Sequence, residues 1–226
     1  MFGWLRKKAA PAPPEAPLAG LRETLFGDVP LQRWAGNGGD EEPWSHFAAA
    51  AARQQRGDPA GAREALRRVV ALPGLESRHY LQAWDALRAL GEAPSEAEAR
   101  HVCGVVLDVP MPRGLDTLAA YEDHSARYLN FGGSPIIWDA PGTAMDAHID
   151  ALLAEGRTLA RQIGPWEGPR PPLPPGMARI SLLTPSGLHF GQAPLEVFAG
   201  DPMSAPLIQA ATVLMQALVH EAESRR

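Results

Sequence analysis

Between Gly114 and Trp138 apolar and polar positions exchange at period two, in a chain whose other segments repeat at three to four. Leu118 and Ala120 alternate with Ala119 and Tyr121, and Glu122–Ser125 supply turn chemistry. Ala126, Tyr128 and Asn130 then alternate with Arg127, Leu129 and Phe131. Period-two alternation bounded by turn residues predicts a half-buried antiparallel meander. Ahead of it, HVCGVVLDVP (His101–Pro110) is β-branched enough for a strand. Behind it, ARISLLTPSGLHFGQ (Ala178–Gln192) predicts a hairpin about the turn Thr184–Gly187. The Gly-Gly of FGGSP is read as a turn that lets Phe131 and Pro135 lie on successive strands.

The remaining periodicity is helical. Leu18–Trp34 has room for one short helix, and GNGGDEE (Gly36–Glu42) is a loop. Trp44–Arg56 is Ala-rich and ends at Gly57, where a left-handed residue terminates a helix. Asp58 follows as N-cap with Pro59 at the first helical position, and Ala62, Ala65, Leu66, Val69 and Val70 mark one apolar face. Pro73-Gly74 breaks that helix. Ser77 is the expected cap of a third helix, with Tyr80, Trp84 and Leu87 on one side and a stop near Gly91. Ser95 caps a short helix, and Thr143 with Asp146 predicts a capping box. The helix it opens carries Ile149, Leu152, Leu153, Leu159 and Ile163. Ser204 is the expected cap of a last helix, Ala205–Glu221, apolar on more than one face. The expectation is an α+β fold: a central antiparallel sheet with flanking helices, preceded by a small helical hairpin region. Residues 1–17 form a flexible tail with the proline-rich stretch Ala9–Pro17, residues 18–92 the helical region, and residues 93–226 the sheet domain.

Composition narrows the class. With 226 residues, 45% hydrophobic and 21% charged, the chain suits a soluble globular protein with a sizeable core. Its net charge of -5 sits wholly in residues 101–226, since residues 1–100 balance 13 basic against 13 acidic side chains. An acidic sheet region does not track a phosphate backbone, so no nucleic-acid partner is expected. One cysteine, Cys103, excludes an internal disulfide framework and fits a reducing, cytoplasmic setting. No apolar run approaches the roughly 20 residues of a membrane span. The start MFGWLRKK, with Phe2, Trp4 and Leu5 beside Arg6, Lys7 and Lys8, reads as a frayed terminus, with contact to a membrane surface as the alternative.

Two resemblances add to this reading. GDPAGAREALRRVVALP resembles a tetratricopeptide-type hairpin through its turn Gly57, small Ala62, large Leu66 and closing Pro73, with Val69 at the expected small position. One repeat is visible where arrays stack about three, so a generic helical hairpin is the alternative. Over residues 93–226 the order helix, strands, helix, two strands, helix is similar to class I type III secretion chaperones. That resemblance implies a dimeric protein that holds the unfolded start of a partner. Roadblock-, longin- and profilin-like modules share comparable layouts. LDTLAAYEDHSARYLN and LHFGQAP resemble segments of uncharacterised bacterial proteins with no assigned activity.

The chemical candidates are sparse. His101 and Cys103 alternate along a strand and can share a face, but four ligands at zinc spacing are missing; the reading is an exposed histidine and a buried thiol, with no metal assigned. Asp146 and Asp150 share a helical face with His148 turned away, which reads as a solvated surface. Ser186-Gly187 lacks a nucleophile elbow, and His189, read as a sheet-surface residue, has no assignable acid or nucleophile. GNGGD and FGGSP fit neither phosphate-binding fingerprint. RPPLPP (Arg170–Pro175) has polyproline-ligand grammar and reads as a stiff connector.

The sequence therefore points to a non-enzymatic interaction module, adaptor or chaperone-like, with a protein partner, no cofactor, and a homodimer as an allowed form. Its binding surfaces would be the outer groove of the helical hairpin and one sheet face. The alternative is a ligand-sensing domain in which Tyr121, Tyr128 and Trp138 line a pocket beside the sheet, with His189 as a further binding candidate. An enzyme of unrecognised class using His189 or Cys103 ranks third.

Overall fold

The computed structural model describes residues 18–36 and 38–225. The expected tail and its basic-aromatic tip lie outside the described residues. The fold is α+β, with helices preceding a six-stranded antiparallel sheet. The helical region holds α1 (Ala19–Glu23), α2 (Leu31–Ala35), α3 (Trp44–Gln55), α4 (Pro59–Ala71), α5 (Ser77–Ala89) and α6 (Glu96–Ala99). Then come β1 (Gly104–Met111), β2 (Gly114–Tyr121), β3 (Ala126–Leu129) and β4 (Pro135–Trp138). They are followed by α7 (Met145–Ala160), β5 (Ala178–Thr184), β6 (Gly187–Ala193), α8 (Leu195–Gly200) and α9 (Ala205–Ser224). Strand order is β4-β3-β2-β1-β5-β6. No helix among the described residues is long and apolar enough to cross a membrane.

The expected meander is present, but it is not half-buried. Val105 pairs with Ala120 and Leu182, and Ala120 with Ala126, which itself pairs with Trp138. These residues face α7 and α9 in one core that also holds Ile149, Leu152, Leu214 and Leu218. The alternate residues Val106, Ala119, Tyr121 and Leu183 face the other way, against Leu25, Phe26 and Leu81. The central strands are covered on both sides because their polar-looking register is filled by alanine and tyrosine, which bury as readily as the leucines opposite. Around Val105, Val106, Ala119 and Ala120 neither face is left as a docking surface, whereas a groove opens beside Leu107 and Leu118 and Ile137 of β4 is exposed.

The helical region is tied to this sheet. Asp58 caps α4 by accepting from the Gly61 amide at 2.8 Å, and Gly57 takes a left-handed φ, as the pattern predicts. α3, α4 and α5 share a core of Phe47, Leu66, Val69, Trp84 and Leu87. Residues 24–30 then cross onto α5, where Gln82 clamps Val29 through both its amide groups, at 2.8 and 3.1 Å. Gly27, at φ +64, lies so close that a side chain there would overlap Leu81 Cβ. The Tyr121 hydroxyl donates to the Leu25 carbonyl at 2.7 Å, from inside the interface.

Several local expectations change. Two short helices, α1 and α2, replace the single one expected before residue 35. Ser77 is the first residue of α5 and does not cap it; its amide and hydroxyl reach Asp123 in the β2–β3 turn. Thr143 Oγ1 accepts from the Met145 amide while Asp146 accepts from the Gly142 amide, so the box is displaced by one residue from the Ala144 N-cap. Ser204 precedes α9 but donates to the Phe198 carbonyl. Ser95 does form its capping box with Glu98. β1 starts at Gly104, three residues later than the pattern suggests, and Phe131 follows the end of β3.

Two substitutions test this architecture. Gly156→Ala in mid-helix would ordinarily stabilise α7 by about 1 kcal/mol. Here the new Cβ would stand 2.6 Å from Val105 Cγ2 in a closed core, so a net loss of about 1–3 kcal/mol is expected in urea unfolding. Tyr121→Phe leaves the Leu25 carbonyl without its buried donor and is expected to cost about 1–3 kcal/mol in the same measurement.

Candidate functional site

Where the helical region leans on the strand ends, a cleft of about 670 Å³ opens. One wall is Leu75, Tyr80 and Trp84, from α5 and the turn before it. The other is built by α6, the segment 101–103, the β2–β3 turn and Pro185 of the β5–β6 turn. Hydrogen bonds hold these pieces in place. Tyr80 donates to the Leu72 carbonyl at 2.5 Å and accepts from the Leu75 amide at 3.2 Å, which shapes the turn. Asp123 accepts from the Ser77 amide at 2.6 Å and the Ser125 amide at 2.9 Å. Arg88 donates to the Pro185 carbonyl at 2.6 Å.

The floor carries the chemistry. The Cys103 amide donates to Leu183, and the Glu122 amide donates to Cys103 at 3.0 Å, so the residues before β1 and after β2 lie side by side. This brings His101, Cys103 and Glu122 together, with candidate ligand atoms all within 4.8 Å of one another. His101 Nε2 stands 2.6 Å from Glu122 Oε2, and Arg157 approaches Glu122 Oε1 at 3.7 Å. The hydrogen bond raises the histidine pKa and lowers that of the carboxylate. Burial pushes the Cys103 thiol up to about 12. Its hydrogen-bond partner is the His101 carbonyl at 3.8 Å, and burial favours the protonated thiol in the metal-free protein. Histidine exposed and cysteine buried is what the sequence suggests; the third member, Glu122, was invisible because a turn residue gives no sign of which strand end it meets.

The sequence-nominated binding residues do not converge. Tyr121 is fully buried on the sheet face opposite Tyr128 and Trp138, so no single pocket takes all three. Tyr128 donates to Asp116 at 2.8 Å and borders a separate groove of about 240 Å³ with Leu107, Ile208 and Met215. Trp138 is buried beneath α9, with the Arg225 guanidinium 4.7 Å from its ring centre. His189 is interior, not on the sheet surface. Its Nδ1 meets the Ile163 carbonyl at 2.9 Å and its Nε2 meets Ser186 Oγ at 3.2 Å, while Ser186 also donates to the Ala99 carbonyl at 2.5 Å. A serine–histidine pair oriented by a carbonyl, and not lining the cleft, is a structural link between α6 and the hairpin.

Other clusters resolve as scaffolding. Asp146 and Asp150 share a face as expected, yet they are not only solvated: both approach His124, at 3.5 and 3.1 Å. Arg22, Arg170 and Arg179 surround buried Asp108. Arg22 donates to Thr117 and Leu115, and Arg179 to the Pro171 carbonyl. Arg170 of the proline-rich connector is engaged by Asp28 at 2.9 Å and stacks on Phe26, so it does not present a free polyproline ligand.

A scan of the chain matches no family model, and comparisons with curated proteins and with solved structures give no match.

Burial holds both His189 and His79 below the ordinary histidine value. Unfolding returns them to about 6.5, so the unfolded chain binds more protons and stability falls as pH drops below that value. His101, whose pKa is raised, works in the opposite sense, so the measurement is a difference: in urea unfolding from about pH 7.5 to 5.5 the native chain should lose stability relative to His189→Asn.

Proposed function

We propose that this chain is a non-enzymatic binding module, adaptor- or chaperone-like, whose cleft receives a short segment of a partner protein. The supporting observation is the cleft's two-part chemistry: an apolar wall of Leu75, Tyr80 and Trp84 facing an acidic rim of Glu98, Glu122 and Asp123. Aromatic side chains held by packing and hydrogen bonds offer large contact area at small entropic cost. The acidic rim favours a basic residue beside the apolar anchor and disfavours acidic competitors. With the central strands covered on both faces, this cleft is preferred to the sheet surface as the docking site. Its volume also falls in the range of small-molecule sites, which keeps ligand sensing as the second reading.

The test is selection of displayed random peptides on the full-length protein, followed by fluorescence anisotropy with the enriched sequence. Peptides pairing an apolar with a basic residue are expected. Ala97→Arg fills the cleft from an exposed position and should weaken binding by about tenfold or more, with thermal unfolding unchanged. Failure to enrich any peptide, or equal binding to A97R, would count against the peptide reading and move weight to a small ligand.

A further inference from the structure

We propose that His101, Cys103 and Glu122 form a three-ligand site for a divalent transition metal, zinc above all, with the fourth coordination position opening into the cleft. The three side chains supply nitrogen, sulfur and oxygen, the donor set that zinc accepts and that magnesium and calcium do not favour. They arrive from two chain segments locked by backbone hydrogen bonds, so their meeting is a product of the fold and not of one flexible loop. All three line the same cleft.

Zinc bonds of about 2.0–2.3 Å place tetrahedral ligand atoms roughly 3.3–3.8 Å apart. The present atoms span 2.6 Å between His101 and Glu122 and lie within 4.8 Å overall. Adjustments of about an ångström close the set. His101 and Glu122, each nearly half exposed, can make them, whereas Cys103 is fixed in the core.

Glu122 divides its two oxygens. Oε1 faces Arg157, which orients the carboxylate, and Oε2 faces the site. Asp123 is excluded as a ligand because both its oxygens accept backbone amides.

On binding, the Cys103 S–H bond breaks, the proton leaves to solvent and the thiolate donates its pair to the metal. His101 loses the Nε2 proton it shares with Glu122, to solvent from the imidazolium or to Nδ1 in the neutral ring, and presents the Nε2 lone pair to the metal. No oxidant or reductant is involved. A ligand entering the cleft with a carboxylate, imidazole or thiol could then take the open position. The site stands independently of the peptide reading, since the three ligands require nothing from the apolar wall.

Cobalt(II) is the probe. Full-length protein freed of metal with a chelator should bind one equivalent and develop a near-ultraviolet thiolate-to-cobalt band, which zinc then bleaches. Cys103→Ser should abolish the band. Glu122→Gln should keep it while weakening cobalt affinity by about tenfold or more. Because Glu122 is a partly exposed turn residue, that second variant keeps the test decisive if the cysteine variant fails to fold. Absence of the band from the native chain, or cobalt affinity unchanged in Glu122→Gln, would overturn the assignment.

Discussion

Everything in this structure answers to the burial of β1 on both faces. Val105 and Leu107 face α7 and α9, and Val106 faces the crossing segment at Leu25 and Phe26. Each such side chain contributes about 1.5–3 kcal/mol only if its own layer closes over it. One side is closed by α7 and α9, apolar enough to pack against the sheet and against each other. The other is closed by a short stretch of chain that has little regular structure of its own. That stretch needs fixing, which explains the Gln82 clamp, the Tyr121 hydroxyl and the close approach at Gly27.

The same requirement makes the cleft. The helical layer meets the sheet at Leu25, Phe26 and Leu81, and again at the turns through Ser77–Asp123 and Arg88–Pro185. Between these anchor points the strand ends and α6 diverge from α5, and the space left is lined by what neither layer buries. The walls are therefore held by the contacts that stabilise the fold, so the site is pre-shaped, with Cys103 fixed in its floor.

Much of the fold was legible in the sequence because local rules govern it. Gly57–Asp58–Pro59 specifies a helix boundary whatever surrounds it, and alternation from Leu118 to Tyr128 specifies strands. Alternation does not reveal how many faces are covered, and Ala119 and Tyr121 read as a solvent side until a second layer is present to bury them. The site was harder to read for a related reason. Tyr121, Tyr128 and Trp138 are close in sequence yet divided by the pleat, while His101 and Glu122 are far apart and joined by strand pairing. Ser77 looked like a cap because its side chain suits one, but its hydroxyl instead accepts from the Asp123 amide in another turn, whose carboxylate accepts from the Ser77 amide.

The strand order carries a kinetic consequence. β1 to β4 pair with their neighbours in sequence through short turns, and β5 with β6 likewise. The β1–β5 seam alone joins distant strands, setting Gly104 against Leu183 across a loop of roughly eighty residues that contains α7. Closing that loop carries the largest entropic cost of any pairing in the sheet, so contact order places the seam after the meander. Until the seam forms, β1 is an unprotected apolar edge strand, the kind of surface through which chains associate wrongly. A chain stopped before the seam formed would present β1 as such an edge, so the β1–β5 pairing guards the sheet against association through its own middle.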